Sequence, residues 1–232
     1  MSIRYTLFLL LTLLLVGLVA VATVRANRLL ATWPADQNPL LHPGENLMRL
    51  LLLLLCVALG LLSDRPAAAL GWQWGALGQQ LAGGTPAGLL MAAFYYSATR
   101  AVVARWGERY YSPRVLHIIL PRRRADFPAV ALAMLPVVAM EELLFRSLLI
   151  GGFGLLAPNW VLVLLSAAVF GLMHSPQGAW GVVGVTLGGI VLGMLFLWTG
   201  SLVLPLWTHY VVNMAQLLLA YRLGTQTVSA KP

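Results

Sequence analysis

Residues 127–221 form a stretch of 95 residues that is almost entirely apolar and contains only three charged side chains. Those three, Glu141, Glu142 and Arg146, lie together in the hexapeptide EELLFR. Apolar runs of about 20 residues cross a bilayer as α-helices, because a helix satisfies its own backbone hydrogen bonds. A chain built from such runs is therefore constrained to fold as a bundle of membrane-spanning helices.

The whole chain follows this pattern and predicts an all-α, polytopic membrane protein. Hydrophobic residues make up 60% of it and charged residues only 9%. The runs are continuous and do not alternate, which argues against a membrane β-barrel. We expect about seven transmembrane helices, or eight if a re-entrant or extra helix is present. The predicted spans are 7–24, 47–62, 81–104, 127–150, 160–175, 180–198 and 201–221.

The basic residues predict the orientation of the chain. The loops 25–46, 100–127 and 222–232 hold eleven of the fifteen Lys and Arg residues, which places them in the cytoplasm by the positive-inside rule and the N-terminus outside. This pattern explains the net charge of +8 better than binding to nucleic acid does. A cleaved signal peptide at the first run is the alternative, but it would move the arginine-rich loop 100–127 outside. The loop 63–80, with two tryptophans, is expected at the membrane interface.

The glutamate pair is the strongest sign of a functional site. A carboxylate in hydrocarbon costs roughly 2.5–3.5 kcal/mol on insertion scales, so it persists where it is paired or active. Glu142 and Arg146 are one helical turn apart and should form an ion pair. Glu141 projects about 140° away from Arg146 and stays free. A purely structural network of the three charges is the alternative.

Two histidines supply further polar groups in the same stretch. Phe170 and His174 share one helix face, and His209 and Asn213 share another. A single histidine in an apolar helix is more often a hydrogen-bonded packing residue. Two histidines, an asparagine and an unpaired glutamate together are the parts that amide hydrolysis needs: a base, an orienting imidazole and donors for an oxyanion. The sequence has no HExxH zinc motif, no GxGD aspartyl motif and no GxSxG serine motif.

These residues form three ordered motifs that resemble those of the CAAX prenyl protease and bacteriocin-processing family (CPBP or Abi), the intramembrane glutamic endopeptidases. The motifs EExxxR, FxxxH and HxxxN correspond to residues 141–146, 170–174 and 209–213, the last preceded by TGSLVLPLWTH. Ser147 stands where many members have glycine. The resemblance divides the chain into N-terminal helices with a basic cytoplasmic loop, a catalytic core and a short tail, at 1–126, 127–221 and 222–232.

The resemblance also implies roles. Glu141 and His174 would activate the attacking water. His209 and Asn213 would stabilise the oxyanion, and the supporting residues would be Glu142, Arg146 and Phe170. Since His174 ends its span while Glu141 lies about 20 Å along its own, the fourth helix would have to tilt or bend, for example at Pro136.

The implied partners are the lipid bilayer and a membrane-associated protein or peptide substrate, with no role for nucleic acid. Prenylated CAAX tails, bacteriocin precursors and C-terminal sorting signals are the substrate types that the resemblance offers, in a prokaryotic plasma membrane. Alternatives are a non-catalytic immunity or binding protein that keeps the fold, or a transporter with an ion site at the glutamates. No cofactor is expected, although zinc on Glu141, His174 and His209 stays an open alternative.

Overall fold

The computed structural model describes the backbone of residues 1–32 and 37–229, and this part of the chain forms helices and no strand. The helices are α1 (Ile3–Thr32), α2 (Pro43–Leu62), α3 (Leu77–Trp106), α4 (Arg114–Ile119), α5 (Phe127–Glu142), α6 (Asn159–Leu172), α7 (Gly178–Thr199) and α8 (Val203–Ser229). The predicted all-α class is confirmed. The predicted loop 25–46 and tail 222–232 lie partly outside the described residues, which exclude Pro34 and Lys231.

Within the described residues, six helical segments are long and apolar enough to cross a membrane. They are Ile3–Ala26, Pro43–Leu62, Leu77–Trp106, Arg124–Gly152, Ser175–Thr199 and Val203–Leu223. Their outer surfaces are apolar: Leu54, Leu90 and Leu132 are each more than half exposed. Such surfaces suit hydrocarbon, and the protein is an integral membrane protein with several spanning helices.

The fifth predicted span differs from the others because it is short. α6 has 14 residues, about 21 Å at 1.5 Å per residue, whereas a bilayer core is about 30 Å thick. Two contacts fix its register against the preceding helix. The Ser166 hydroxyl donates to the Phe145 carbonyl at 2.7 Å, and the ring centres of Phe145 and Phe170 lie 4.8 Å apart. The short helix therefore ends beside the EELLFR turn. The prediction of a bend at Pro136 was made for a fifth span of full length, whereas α6 has 14 residues.

The fourth span continues beyond α5 as a π-helix, Leu143–Gly152. A π-helix has a wider turn than an α-helix and is often found at functional sites. The loop after α2 packs against it. The Ser147 hydroxyl donates to the Leu70 carbonyl at 2.8 Å and accepts from the Trp72 indole N–H at 3.0 Å. Trp72, expected at the membrane interface, therefore packs inward, whereas Trp74 is 77% exposed.

The third helix begins earlier than predicted and runs through its glycines and Pro86 without interruption. Glycine is required here by close packing of α3 on α8. A Cβ atom on Gly88 would meet the Thr208 carbonyl oxygen and the Val211 side chain, both 2.7 Å away. The residues that weaken the helix in isolation thus allow its contact with the helix that carries the HxxxN motif.

The arginine-rich loop is not only a solvated connection. It contains α4, whose residues Val115, Leu116 and Ile119 line an internal cavity. Two backbone hydrogen bonds tie the loop to the turn after α6: the Ser112 N–H donates to the Gln177 carbonyl at 2.9 Å and the Trp180 N–H to the Tyr110 carbonyl at 2.8 Å. The loop thus forms one wall of the cavity described next.

Candidate active site

Glu142 and Arg146 form the buried ion pair that their spacing predicts. The Arg146 Nη1 donates to the Glu142 Oε1 at 2.9 Å, and the two side chains are 1% and 0% exposed. The guanidinium has two further contacts: Nη2 donates to the Gly189 carbonyl at 3.3 Å, and its carbon lies 4.9 Å from the Phe170 ring centre. A planar cation can make both contacts at once, which an ammonium could not.

The contact with Arg146 gives Gly189 of α7 a role beyond packing. A Cβ atom there would lie 3.1 Å from the Cβ of Ala167, tighter than usual, so glycine lets α7 pack closely on α6. This close packing also brings the glycine carbonyl within reach of Arg146. No local sequence pattern predicts this hydrogen bond, because it joins residues 43 positions apart.

His209 connects the two glutamates. Its Nδ1 lies 2.7 Å from the Glu142 Oε1, and its Nε2 lies 3.6 Å from the Glu141 Oε2. An ionised carboxylate only accepts hydrogen bonds, so Nδ1 carries the proton in the first contact. The second ring nitrogen then faces Glu141. Sequence spacing predicted only Arg146 as the partner of Glu142, and the histidine contact between α5 and α8 was not predicted.

Glu141 and Glu142 have different surroundings, as their helical positions predict. Glu141 is 18% exposed and lines the cavity, whereas Glu142 is fully buried behind it. Arg146 compensates the charge of Glu142. Glu141 is consequently the carboxylate that a molecule in the cavity can reach.

His174 lines the same cavity, directly after the end of α6, and is held by the last turn of that helix. Its Nδ1 lies 2.8 Å from the Phe170 carbonyl oxygen. A carbonyl cannot donate, so Nδ1 is the protonated nitrogen and Nε2 holds the lone pair in the neutral ring. The ring also packs edge-on against Phe170, with 4.6 Å between ring centres. The predicted aromatic contact of this histidine is confirmed.

Phe170 is the central packing residue of the site. Besides His174 and Arg146, its ring contacts Phe145 at 4.8 Å and His209 at 5.9 Å between centres. The phenyl ring is buried, at 3% exposure. It therefore contacts residues of all three motifs.

Asn213 lies one turn beyond His209 on α8 and also lines the cavity. Its amide nitrogen faces the Met134 sulfur at 3.6 Å. A thioether is a weak acceptor, so the amide N–H groups have strong hydrogen-bonding capacity left for a ligand.

The cavity brings together the four residues predicted to be catalytic. It has a volume of about 370 Å³ and is lined by Glu141, His174, His209 and Asn213 among others. Sequence reasoning missed several of its polar lining residues, which are Arg49, Tyr95, Tyr111, Ser112, Gln177 and Gln216. Arg49 lies at the start of the predicted span 47–62, and residues 111 and 112 lie in the predicted cytoplasmic loop 100–127.

Tyr111 contributes a hydroxyl to the cavity wall outside the spanning helices. Burial raises the pKa of this tyrosine above its ordinary value. The phenol therefore keeps its proton at neutral pH and stays a neutral hydrogen-bonding group.

Among the described residues, no three His, Cys, Asp or Glu side chains lie close enough together to bind one metal ion. His209 already uses Nδ1 on Glu142, and the guanidinium of Arg146 lies on that same carboxylate. A cation bound between the glutamates would be repelled by this guanidinium. Metal-free chemistry stays a prediction, tested below.

Comparison with known protein families gives a match for residues 123–215 to "Type II CAAX prenyl endopeptidase Rce1-like". The matched segment contains the three motifs and helices α5 to α7 with much of α8. Neither the curated proteins nor the solved structures gave a match to this chain.

Proposed function

We propose that this chain is an intramembrane endopeptidase with a glutamate-activated water, which the match of residues 123–215 to the type II CAAX prenyl endopeptidase Rce1-like family supports. Its substrate is a small or membrane-anchored protein, cut at a peptide bond near the membrane surface. The observation that carries the proposal is the position of Glu141, a reachable carboxylate in a cavity that it shares with both histidines and Asn213.

In the proposed reaction, Glu141 takes a proton from water while the water oxygen attacks the carbonyl carbon of the substrate. His174, with its Nε2 lone pair, orients this water. The proton then passes from Glu141 to the amide nitrogen as the C–N bond breaks, which releases an amine and a carboxylic acid. Hydrolysis is balanced by one water, and no other reactant is needed.

The oxyanion formed in this reaction needs donors that are in place before it appears. The Asn213 amide is one, since its only described partner is a thioether. His209 is the second: as an imidazolium it would donate from Nε2. Glu142 supports that state, because its carboxylate accepts hydrogen bonds from Nδ1 of His209 and from Arg146.

The alternative is a non-catalytic immunity or binding protein that keeps this fold. It would require the cavity but not a base within it. A transporter that uses the two glutamates as an ion site is a further alternative, but Glu142 is already paired with Arg146. Peptide-bond cleavage separates the enzyme from both.

The test uses the full chain purified in detergent and reconstituted in liposomes with membrane-anchored peptides that carry prenyl, acyl or transmembrane anchors. We expect mass spectrometry to detect a cut at one position in at least one anchor class. Empty liposomes and a His174→Ala protein purified in parallel control for contaminating proteases. If no peptide is cut, or if His174→Ala protein cuts equally fast, the proposal is contradicted.

A further inference from the structure

Gln216 is a polar side chain of the cavity wall to which the proposed reaction assigns no role. It lies on α8, three residues after Asn213, and lines the cavity. The match to the protease family ends at residue 215, directly before this glutamine. The spanning segment Val203–Leu223 continues for two further turns of helix beyond it. The amide therefore lies inside the apolar part of the bundle, where a polar side chain is costly unless it has a partner or a function.

The side-chain amide of Gln216 has no partner in the protein. Among the residues that the structure describes, none forms a hydrogen bond with it. Gln80 of α3 differs in this respect, since its amide donates to the Gly75 carbonyl at 2.6 Å and accepts from the Leu204 N–H at 3.1 Å. Gln216 is half-buried, so a molecule in the cavity can reach it. Both its donor and its acceptor are consequently available to a ligand.

His209, Asn213 and Gln216 lie on one face of α8. Seven residues make almost two helical turns, so Gln216 is only about 20° from His209 around the helix axis. Along the axis it lies about 10 Å beyond His209 and about 5 Å beyond Asn213. In the proposed reaction the scissile carbonyl lies between His209 and Asn213. An extended peptide advances about 3.3 Å per residue, so Gln216 faces the peptide two or three residues from the cleaved bond.

A peptide that enters this cavity needs hydrogen-bond partners for its main chain. Most of the lining residues are apolar, and a backbone N–H or C=O that leaves water without a new partner costs free energy. A carboxamide is both a donor and an acceptor, so it can pair with the N–H and the C=O of a peptide main chain. A lipid ester carbonyl could use only the donor. The free amide of Gln216 therefore fits a peptide backbone better than a lipid.

We propose that Gln216 binds the main chain of the substrate two or three residues from the cleaved bond, and that this contact determines which peptide bond lies at Glu141. The inference rests on the proposed function and adds a specificity-determining residue to it. Gln216 takes no part in the chemical step. The contact is independent of the substrate's side chains, so it sets the position of the cut and does not select a residue type.

The test uses anchored peptides in which one backbone amide at a time is replaced by an ester, which lacks the N–H donor and has a weaker carbonyl acceptor. The parent peptide is one that the wild-type protein cuts in liposomes. For wild-type protein, an ester two or three residues from the cleaved bond should lower kcat/KM about fivefold, the effect of roughly one hydrogen bond, mostly through KM. In Gln216→Met the same ester should have almost no effect.

Gln216→Met keeps the length of the side chain and removes the amide. Because this amide has no partner in the protein, the melting temperature should stay at the wild-type value or rise. Cleavage of the all-amide peptide should become slower, and mass spectrometry should detect additional cuts at neighbouring bonds. Gln79→Met, which replaces an exposed glutamine outside the cavity, should keep the wild-type ester profile and the single cut.

The ester series on wild-type protein needs no variant, so it decides the matter even if Gln216→Met fails to fold. Equal cleavage of all ester peptides by wild-type protein would overturn the role of Gln216 and leave the protease activity intact. A wild-type ester profile in Gln216→Met would overturn it too, as would a lowered melting temperature with unchanged cleavage. Failure of wild-type protein to cut any peptide would contradict the proposed function itself.

Discussion

At the scale of single residues, the site depends on a buried chain of charges: Arg146, Glu142 and His209, with Glu141 at its end. Each contact in it is short except the last, at 3.6 Å between His209 and Glu141. The looser contact belongs to the carboxylate that lines the cavity. This arrangement separates a buried, paired acid from one that a molecule in the cavity can reach, although the two are neighbours in sequence.

Arg146→Ala should lower the amount of folded protein, because it leaves the carboxylate of Glu142 buried without its cation. Breaking a buried pair in this way costs about 3–5 kcal/mol. Thermal unfolding of the detergent-purified protein measures it, with Arg105→Ala as the control for an exposed arginine. Arg146→Lys should be intermediate, since it keeps the charge and loses the planar contacts with Gly189 and Phe170. A wild-type melting temperature for Arg146→Ala would contradict the structural role of the pair.

Metal dependence is also decided by single residues. We predict that proteolysis survives strong zinc chelators and that no stoichiometric metal is found in the purified protein by elemental analysis. The physical reason is the guanidinium on Glu142, which repels a cation at the neighbouring carboxylate. Loss of activity on chelation, restored by zinc at one equivalent, would make the protein a metalloprotease and overturn this prediction.

Contacts between residues four positions apart in the chain were predictable, and those between distant helices were not. The pairs Glu142–Arg146 and Phe170–His174 follow from the helical repeat alone. The contact of His209 with Glu142 joins positions 67 residues apart, and it depends on the register of α8 against α5, which apolar patterns do not specify. Arg49 was overlooked for the same reason: nothing local indicates that the start of α2 lies beside the cavity.

At the scale of secondary structure, the unusual elements are the short α6 and the π-helix after α5. Hydropathy found every long apolar helix, but it could not detect that the fifth helix has only 14 residues. Its apolar run blends into the turn at His174, and helix ends are the least certain part of a sequence-based prediction. His174 follows the end of this short helix and lines the same cavity as Glu141.

Ser147 shows how the π-helix is held. Its hydroxyl joins Trp72 and the Leu70 carbonyl, so Ser147→Ala should destabilise the protein by about 1–3 kcal/mol, because buried partners lose their hydrogen bonds. Trp72→Phe removes one of these bonds from the other side. The two changes should be less than additive in thermal or denaturant unfolding. Fully additive losses would show that the hydrogen bond does not couple the loop to the helix.

At the scale of the whole molecule, the two halves of the chain build one cavity. The motifs lie in α5 to α8, while the wall comes in part from α2, α3 and the loop with α4. The division at residue 126 therefore describes where the motifs lie along the chain. The residues that line the cavity come from both the N-terminal and the C-terminal part.

The proposed orientation is tested by labelling single cysteines at Arg109 and Trp74 in a Cys56→Ala background. By the positive-inside rule, position 109 should react from the cytoplasmic side and position 74 from the outside. Membrane-impermeant thiol reagents on intact cells and on inverted vesicles measure this. Labelling of both positions from the same side would contradict the proposed topology.

The central claim is that Glu141 is the base and Glu142 its structural neighbour, and a comparison of Glu141→Gln with Glu142→Gln tests it most directly. Both variants exchange a carboxylate for an amide of the same shape. For each one, cleavage in liposomes and the melting temperature in detergent are measured on the same preparation. We predict that Glu141→Gln abolishes cleavage and keeps a melting temperature close to that of the wild type. Glu142→Gln should lower the melting temperature, because Arg146 and His209 lose their shared acceptor. Near-normal proteolysis by the Glu141→Gln protein would contradict the account.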